Sequence, residues 1–188
     1  YGIHLAANSS NNTISNCTAS NNEGGIVLFD SNSNTITGNN VCNNSGAGID
    51  LWHSCNNNTF TGNNVCSNDE GIDLYYSSNN TITGNTVISN RWCGILLRES
   101  SNNVITGNDF INNTEDVSSA NSANFWNSTE PLTYQYNNTT FTSYIGNFWS
   151  NYKGLDADGD GLGDTHYVID SDEDHHPLMS RFENYSFI

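Results

Sequence analysis

A glycine returns every 23 residues along the first half of the chain, at Gly2, Gly25, Gly48, Gly71 and Gly94. A fixed period in this range marks a stack of like structural units, each resting on its neighbours, rather than one globular core. In the copy GIDLYYSSNNTITGNTVISN, Ile72 and Leu74 stand two apart, the spacing that puts both on one face of a strand. Ile82 and Val87 add two inward positions, separated by Thr-Gly-Asn turn chemistry. The other copies supply Ile3, Leu5, Ile14, Ala19; Ile26, Leu28, Ile36, Val41; Ile49, Leu51, Phe60, Val65; and Ile95, Leu97, Ile105, Phe110. No segment carries the three-four-seven spacing of an amphipathic helix.

Three short strands cannot bury four apolar side chains alone, but coils laid on one another bury them in a continuous column. Crossovers between parallel strands run right-handed. The expected fold is therefore all-β, a right-handed parallel β-helix with three short strands per coil. Five coils fill residues 1–116, and residues 117–188 form a degenerate coil and an irregular cap. Two asparagine columns follow from the register: Asn12, Asn34, Asn58, Asn80, Asn103, and Asn22, Asn44, Asn68, Asn90, Asn113. Stacked amides of this kind hydrogen-bond up and down a ladder. Ser31, Ser54, Ser77 and Ser100 read as a further column.

The formal net charge is −16, with only four Lys or Arg residues. Such a chain repels nucleic acid and anionic membrane surfaces, and no apolar run approaches a membrane span. Divalent cations and neutral glycans remain compatible partners. Tyr1 falls inside a repeat, which reads as a mature or excised piece of a longer protein. Among five cysteines there is no CxxC pair. Cys42 and Cys66 share a column in adjacent coils, ~5 Å apart and within disulfide range; they equally suit two unbonded small side chains beside Val41 and Val65, and both arrangements stay open. Sequons are frequent and suggest a secreted glycoprotein, with Asn112, Asn127, Asn138 and Asn184 the candidate acceptors.

After the repeats, aromatic density from Phe125 to Trp149 fits a cap over the open end of the solenoid, including a hairpin around Asn137 and Asn138. The segment DADGDGLGD then places Asp156, Asp158, Asp160, the Leu162 carbonyl and Asp164 at alternate positions, with Gly161 where such a loop turns sharply. Hard cations take six to eight oxygens from loops so spaced, which assigns calcium as the cofactor. The closing glutamate of an EF-hand is absent, and Asp170, Asp172 or Asp174 is the expected substitute.

The repeats, followed by GNFWSNYKGLDADGDGLGDTHYVID and DHHPLM, resemble the NosD-like family of parallel β-helix proteins, also described as carbohydrate-binding and sugar-hydrolase (CASH) domains. The resemblance covers nearly the whole chain and implies placement outside the cytoplasm, of the archaeal cell-surface type. The family name implies copper delivery to nitrous oxide reductase, a role that does not transfer on fold alone. Where the family pattern has Asp-x-Tyr-Pro-Leu, this chain has Asp174-His175-His176-Pro177-Leu178. We read His175 and His176 as surface residues; the alternative is a donor pair for copper or nickel.

One outward column holds His4, Val27, Asp50, Asp73 and Leu96, and another Ala6, Phe29, Trp52, Tyr75 and Arg98. The second offers an aromatic ligand-binding ladder ending in Arg98. The first offers an acidic pair, Asp50 and Asp73, the weak catalytic candidates of this chain. The leading expectation is a calcium-stabilised extracellular β-helix module, acting as an assembly unit toward neighbouring surface subunits or itself, or as a glycan-binding surface. The rival is a polysaccharide hydrolase or lyase using the Asp50/Asp73 face, and the third class is metal handling.

Overall fold

The structure, a computed structural model describing residues 1–188, is a parallel β-helix of three strands per coil, with one 3-10 turn at Phe182–Asn184 as its helical content. The first sheet stacks Ile3–Leu5, Ile26–Phe29, Ile49–Trp52, Glu70–Tyr75, Cys93–Arg98 and Glu115–Ala120 in chain order. The second stacks five three-residue strands from Thr13–Ser15 to Val104–Thr106, the middle three of them Thr-x-Thr, and the third runs from Thr18–Ser20 to Phe148–Trp149. The predicted inward side chains of the middle coils, Ile26 to Phe110, are buried and form one apolar column.

The glycine period has a steric cause. A Cβ at Gly25 would collide with the Gly48 carbonyl oxygen and with Val41, and one at Gly71 with the Gly94 carbonyl oxygen and Val87. The chain enters the first sheet there pressed against the coil beyond, so only hydrogen fits. The second glycine column has a conformational cause: Gly38, Gly62, Gly84 and Gly107 bend the chain between the second and third sheets with φ of 63 to 65°, a region costly for residues with a Cβ.

Asparagine satisfies the backbone where strands stop. The Asn63 N–H donates to Asn85 Oδ1 at 3.0 Å, and its Nδ2 donates to the same oxygen at 2.9 Å and to the Ile36 carbonyl at 2.9 Å. Its own Oδ1 accepts from Asn39 N and Nδ2, both at 3.0 Å. Each buried amide thus uses two donors and a doubly accepting oxygen. Both predicted columns do this. A third ladder, which the sequence reading missed, runs Asn39, Asn63, Asn85, Asn108, Asn147. The serine column needs correction: Cys55, not Ser54, stands between Ser31 and Ser77. The third coil carries one extra residue at this corner, where His53 and Ser54 both have φ of 54°, and shortens again before Gly71.

The expected boundary at residue 116 falls inside the strand Glu115–Ala120, so the solenoid continues. A sixth coil uses this strand, the bridge of Phe125 to Val104, and Phe148–Trp149, with the hairpin Leu132–Tyr136/Thr139–Ser143 inserted. Asn137 and Asn138 turn that hairpin, with φ of 49° and 64°. Of the two arrangements open to Cys42 and Cys66, the structure has the bonded one, with Cα atoms 4.6 Å apart. Stacked rings close the core: Trp149 lies on Phe110 at 4.5 Å and Tyr167 on Trp149 at 4.3 Å.

The ribbon Tyr167–Ile169/Asp172–Asp174 covers this end. Its acids were expected beside the calcium loop, and the structure places them elsewhere. Asp172 Oδ2 accepts from Asn124 N at 3.0 Å, at the end of the first ladder. Asp174 Oδ2 accepts from Asn147 N at 2.7 Å, at the end of the third, and from Trp149 Nε1 at 2.9 Å. Asp170 Oδ2 accepts from Ser119 N at 2.7 Å. A carboxylate accepts without needing an onward partner for a donor of its own, which suits a ladder's last step.

Asn63→Ala orphans two buried donors on Asn39, at about 1–3 kcal/mol each. We expect a stability loss on the order of 3 kcal/mol, read as a lower urea midpoint. An unmoved midpoint would refute the ladder's role.

Candidate functional site

The outer face of the first sheet gathers the chemistry. Its register pairs Val27 with Asp50, Asp50 with Asp73, and Asp73 with Leu96; beside them run Phe29, Trp52, Tyr75 and Arg98. Both outward columns expected from sequence are therefore present. Val27 and Leu96 are buried above and below the acids, Asp73 is buried, and Asp50 is half-buried. Arg98 Nη2 donates to Asp73 Oδ2 at 2.6 Å. Asp50 Oδ1, Asp73 Oδ1 and Arg98 Nε are buried without a partner.

These environments shift the acids' protonation. Burial, with the neighbouring charge of Asp73, pushes the Asp50 carboxyl from 3.8 up to about 7. Burial raises Asp73 to about 6, with Arg98 pulling the other way. Burial raises the neighbouring Glu70 as well. Three acids on one face thus resist ionisation that solvent would grant them.

The aromatic rings form a cluster rather than a simple stack. Trp52 and Tyr75 are 6.0 Å apart and tilted, and Arg98 lies over the Tyr75 ring at 5.1 Å. His53 stands between them, 5.9 Å from Phe29, 5.3 Å from Trp52 and 5.3 Å from Tyr75. His53 and Tyr76 were missed in the sequence because they follow the ladder position. Both sit at a corner with positive φ, 54° and 48°, which a bulky side chain adopts only under constraint. The rings stay outside the chain's own cap: Phe29 is 38% exposed, Trp52 45% and Tyr76 49%. At the first coils, Tyr1, His4, Val27, Phe29, Asp50 and Trp52 line a cleft of about 290 Å³.

Asp156, Asp158 and Asp160 bring carboxylate oxygens within 4.8 Å of one another. Asp156 Oδ1 accepts from Gly159 N at 2.8 Å and Oδ2 from Gly161 N at 3.0 Å, wrapping the loop around that side chain. Asp164 does not join the cluster; its Oδ2 accepts from Ala157 N at 2.8 Å. Leu162 bridges to Leu178 and packs in the second apolar cluster, tying the loop to the cap. Among the sequons, Asn112, Asn138 and Asn184 are exposed, while Asn127 is half-buried and its Nδ2 donates to the Ser128 carbonyl.

The adjacent pair His175 and His176 does not act together. His176 stacks on Tyr144 at 5.6 Å, and burial lowers its pKa. His175 instead meets His166, ring nitrogens 3.1 Å apart.

Residues 1–154 match the family described as periplasmic copper-binding protein (NosD). The match spans most of the chain, which therefore belongs to this family. Among solved structures the chain is similar to a crystal structure of the periplasmic alginate epimerase AlgG, with 29% identity and a TM-score of 0.54. That match covers 63% of this chain and 30% of the epimerase chain, so the protein described here spans under a third of that relative. No curated protein matches. The two clusters of three or more His, Cys, Asp or Glu side chains with converging ligand atoms both lie beyond residue 154, outside the matched span.

An acid raised by burial is protonated in the fold where the unfolded chain ionises, so its contribution to stability is present below about pH 4 and lost as pH rises through about 7. Asp50→Asn removes that loss. Its melting temperature should exceed the parent's by a few degrees at pH 8, at least about 1 kcal/mol, with the difference shrinking toward pH 4. Equal melting curves at pH 8 would contradict the assignment.

Proposed function

We propose that this protein is a calcium-stabilised β-helix module working outside the cytoplasm, and that it binds a carbohydrate chain along the outer face of its first sheet. The observation that carries the reading is the acid pair of half-buried Asp50 and buried Asp73, with a buried, unpartnered oxygen on each, beside exposed Phe29, Trp52 and Tyr76. Aromatic faces take the C–H-rich sides of sugar rings, and unpaired carboxylate oxygens accept hydroxyl hydrogen bonds. Successive coils repeat the lining every ~4.8 Å, which suits a polymer better than a small molecule. The Cys42–Cys66 disulfide agrees with an oxidising compartment, and both the family description and the epimerase are periplasmic.

A second reading is a polysaccharide-modifying enzyme on the same face. It is favoured by acids held at about 7 and about 6, the range in which a carboxyl can both give and take a proton near neutrality. Calcium at Asp156, Asp158 and Asp160 would fix the cap rather than take part on this face, which lies on other residues.

Trp52→Ala should cut binding to a glycan array at least tenfold while leaving the melting temperature near the parent's. If self-association falls instead and no glycan binds, the face is a subunit interface. Turnover of a bound glycan that stops in Asp50→Asn would establish the second reading. For calcium, EDTA should lower the melting temperature and added calcium restore it, because an ion held only by the native state adds RT ln(1 + [L]/Kd); Asp158→Asn should mimic the chelator. An unmoved transition removes calcium from the account.

A further inference from the structure

The ribbon that closes the solenoid alternates. Tyr167, Ile169, Asp172 and Asp174 face the core and the ladder ends. Strand pairing sets Tyr167 opposite Asp174 and Val168 opposite Glu173. Continued outward by one residue, the register sets His166 opposite His175. Period-two alternation then places His166, Glu173 and His175 together on the solvent side.

Their polar atoms converge. His166 Nδ1 lies 3.0 Å from Glu173 Oε2, His175 Nδ1 lies 3.1 Å from His166 Nδ1, and His175 Nε2 lies 3.7 Å from Glu173 Oε1. One ligating atom from each residue fits within 4.8 Å of the other two. Zinc binds imidazole nitrogen and carboxylate oxygen at about 2.0–2.2 Å, which sets neighbouring ligands of a tetrahedral site roughly 3.3 Å apart. The two approaches made by His166 Nδ1, 3.0 Å to Glu173 and 3.1 Å to His175, lie near that value, while the third joins the other nitrogen of His175 to the other oxygen of Glu173. We propose that His166, Glu173 and His175 form a surface site for a divalent transition-metal ion of the imidazole-preferring kind, with Zn2+ and Cu2+ its probes.

The donor set separates this site from the acidic loop. Two imidazoles and one carboxylate suit zinc and copper, whereas all-oxygen sites suit calcium. Three protein ligands leave a position for water or for a group from another molecule. The inward side supports the geometry: Asp174 is fully buried, bonded to Asn147 and Trp149, and its Oδ1 accepts from His176 N at 3.0 Å. The strand carrying Glu173, which runs directly into His175, is thus held from below. The alternative for two ring nitrogens this close is a plain histidine–histidine hydrogen bond, which needs no ion.

Calorimetric titration of the calcium-saturated protein with Zn2+, then separately with Cu2+, distinguishes the two. We expect one saturable equivalent, weakened at least tenfold in His166→Ala and in His175→Ala. His176→Ala and Asp158→Asn should bind as the parent does, with circular dichroism confirming that every variant is folded. Absence of a one-to-one site for either ion, or unchanged affinity in folded His166→Ala, overturns the proposal. A tenfold loss in His176→Ala likewise overturns the ligand set.

Discussion

Every corner of this solenoid leaves a backbone N–H facing the next coil where no strand continues, and a buried asparagine oxygen answers it. The side chain supplies what the sheet cannot. One oxygen accepts both the N–H and the amide of the coil below, and the amide also reaches a carbonyl of the preceding coil. Aspartate has the oxygen without the donors, and glutamine places its amide a methylene too far. An unanswered group at each corner would cost on the order of 1–3 kcal/mol, a sum comparable to the whole stability of a domain. The asparagines are therefore as much part of the fold as the apolar column they surround.

A ladder of this kind must also end. The terminal amides, Asn124 and Asn147, have no further coil, and their N–H groups are met by Asp172 and Asp174. This explains why Asp174 is buried and Asp172 half-buried against the core in a chain already charged at −16. Burial raises the Asp174 carboxyl to about 6, a cost offset by N–H donors from Asn147, Trp149 and His176. The cap is thus both an aromatic lid over the apolar column and a row of acceptors for the polar ladders.

Most of the fold was legible because the repeat made it so. The Gly-Ile-x-Leu spacing fixed the inward side chains, and two of the three asparagine ladders stood at offsets of 22 to 24 residues. The Ser54 assignment failed because the third coil gains one residue at its corner and loses it before Gly71, so the glycine period hides the shift. Asp170, Asp172 and Asp174 were misplaced because proximity in sequence to the acidic loop says nothing about which face of a ribbon points at the core. The outer face was half legible: Asp50, Asp73 and the aromatic column follow from register. His53 and Tyr76 reach it from left-handed corners, which no periodicity marks. His166 was missed because it meets His175 only through pairing of the ribbon.

The position of Asp50 and Asp73 is the least expected on stability grounds. The solenoid does not require acids there: the same column accepts Val27 in the coil before them and Leu96 in the coil after, both buried. Those apolar neighbours deprive the carboxylates of water, while coil stacking holds the two acids side by side. Arg98 engages one oxygen of Asp73 and leaves the rest of the pair uncompensated. A fold that can satisfy every other buried polar side chain, down to the last amide of its ladders, leaves oxygens of these two carboxylates and one Arg98 nitrogen open. Groups desolvated yet unpaired are poised to gain most from a ligand that brings its own donors. The exposed rings of Phe29, Trp52 and Tyr76 border them on the side such a ligand would approach.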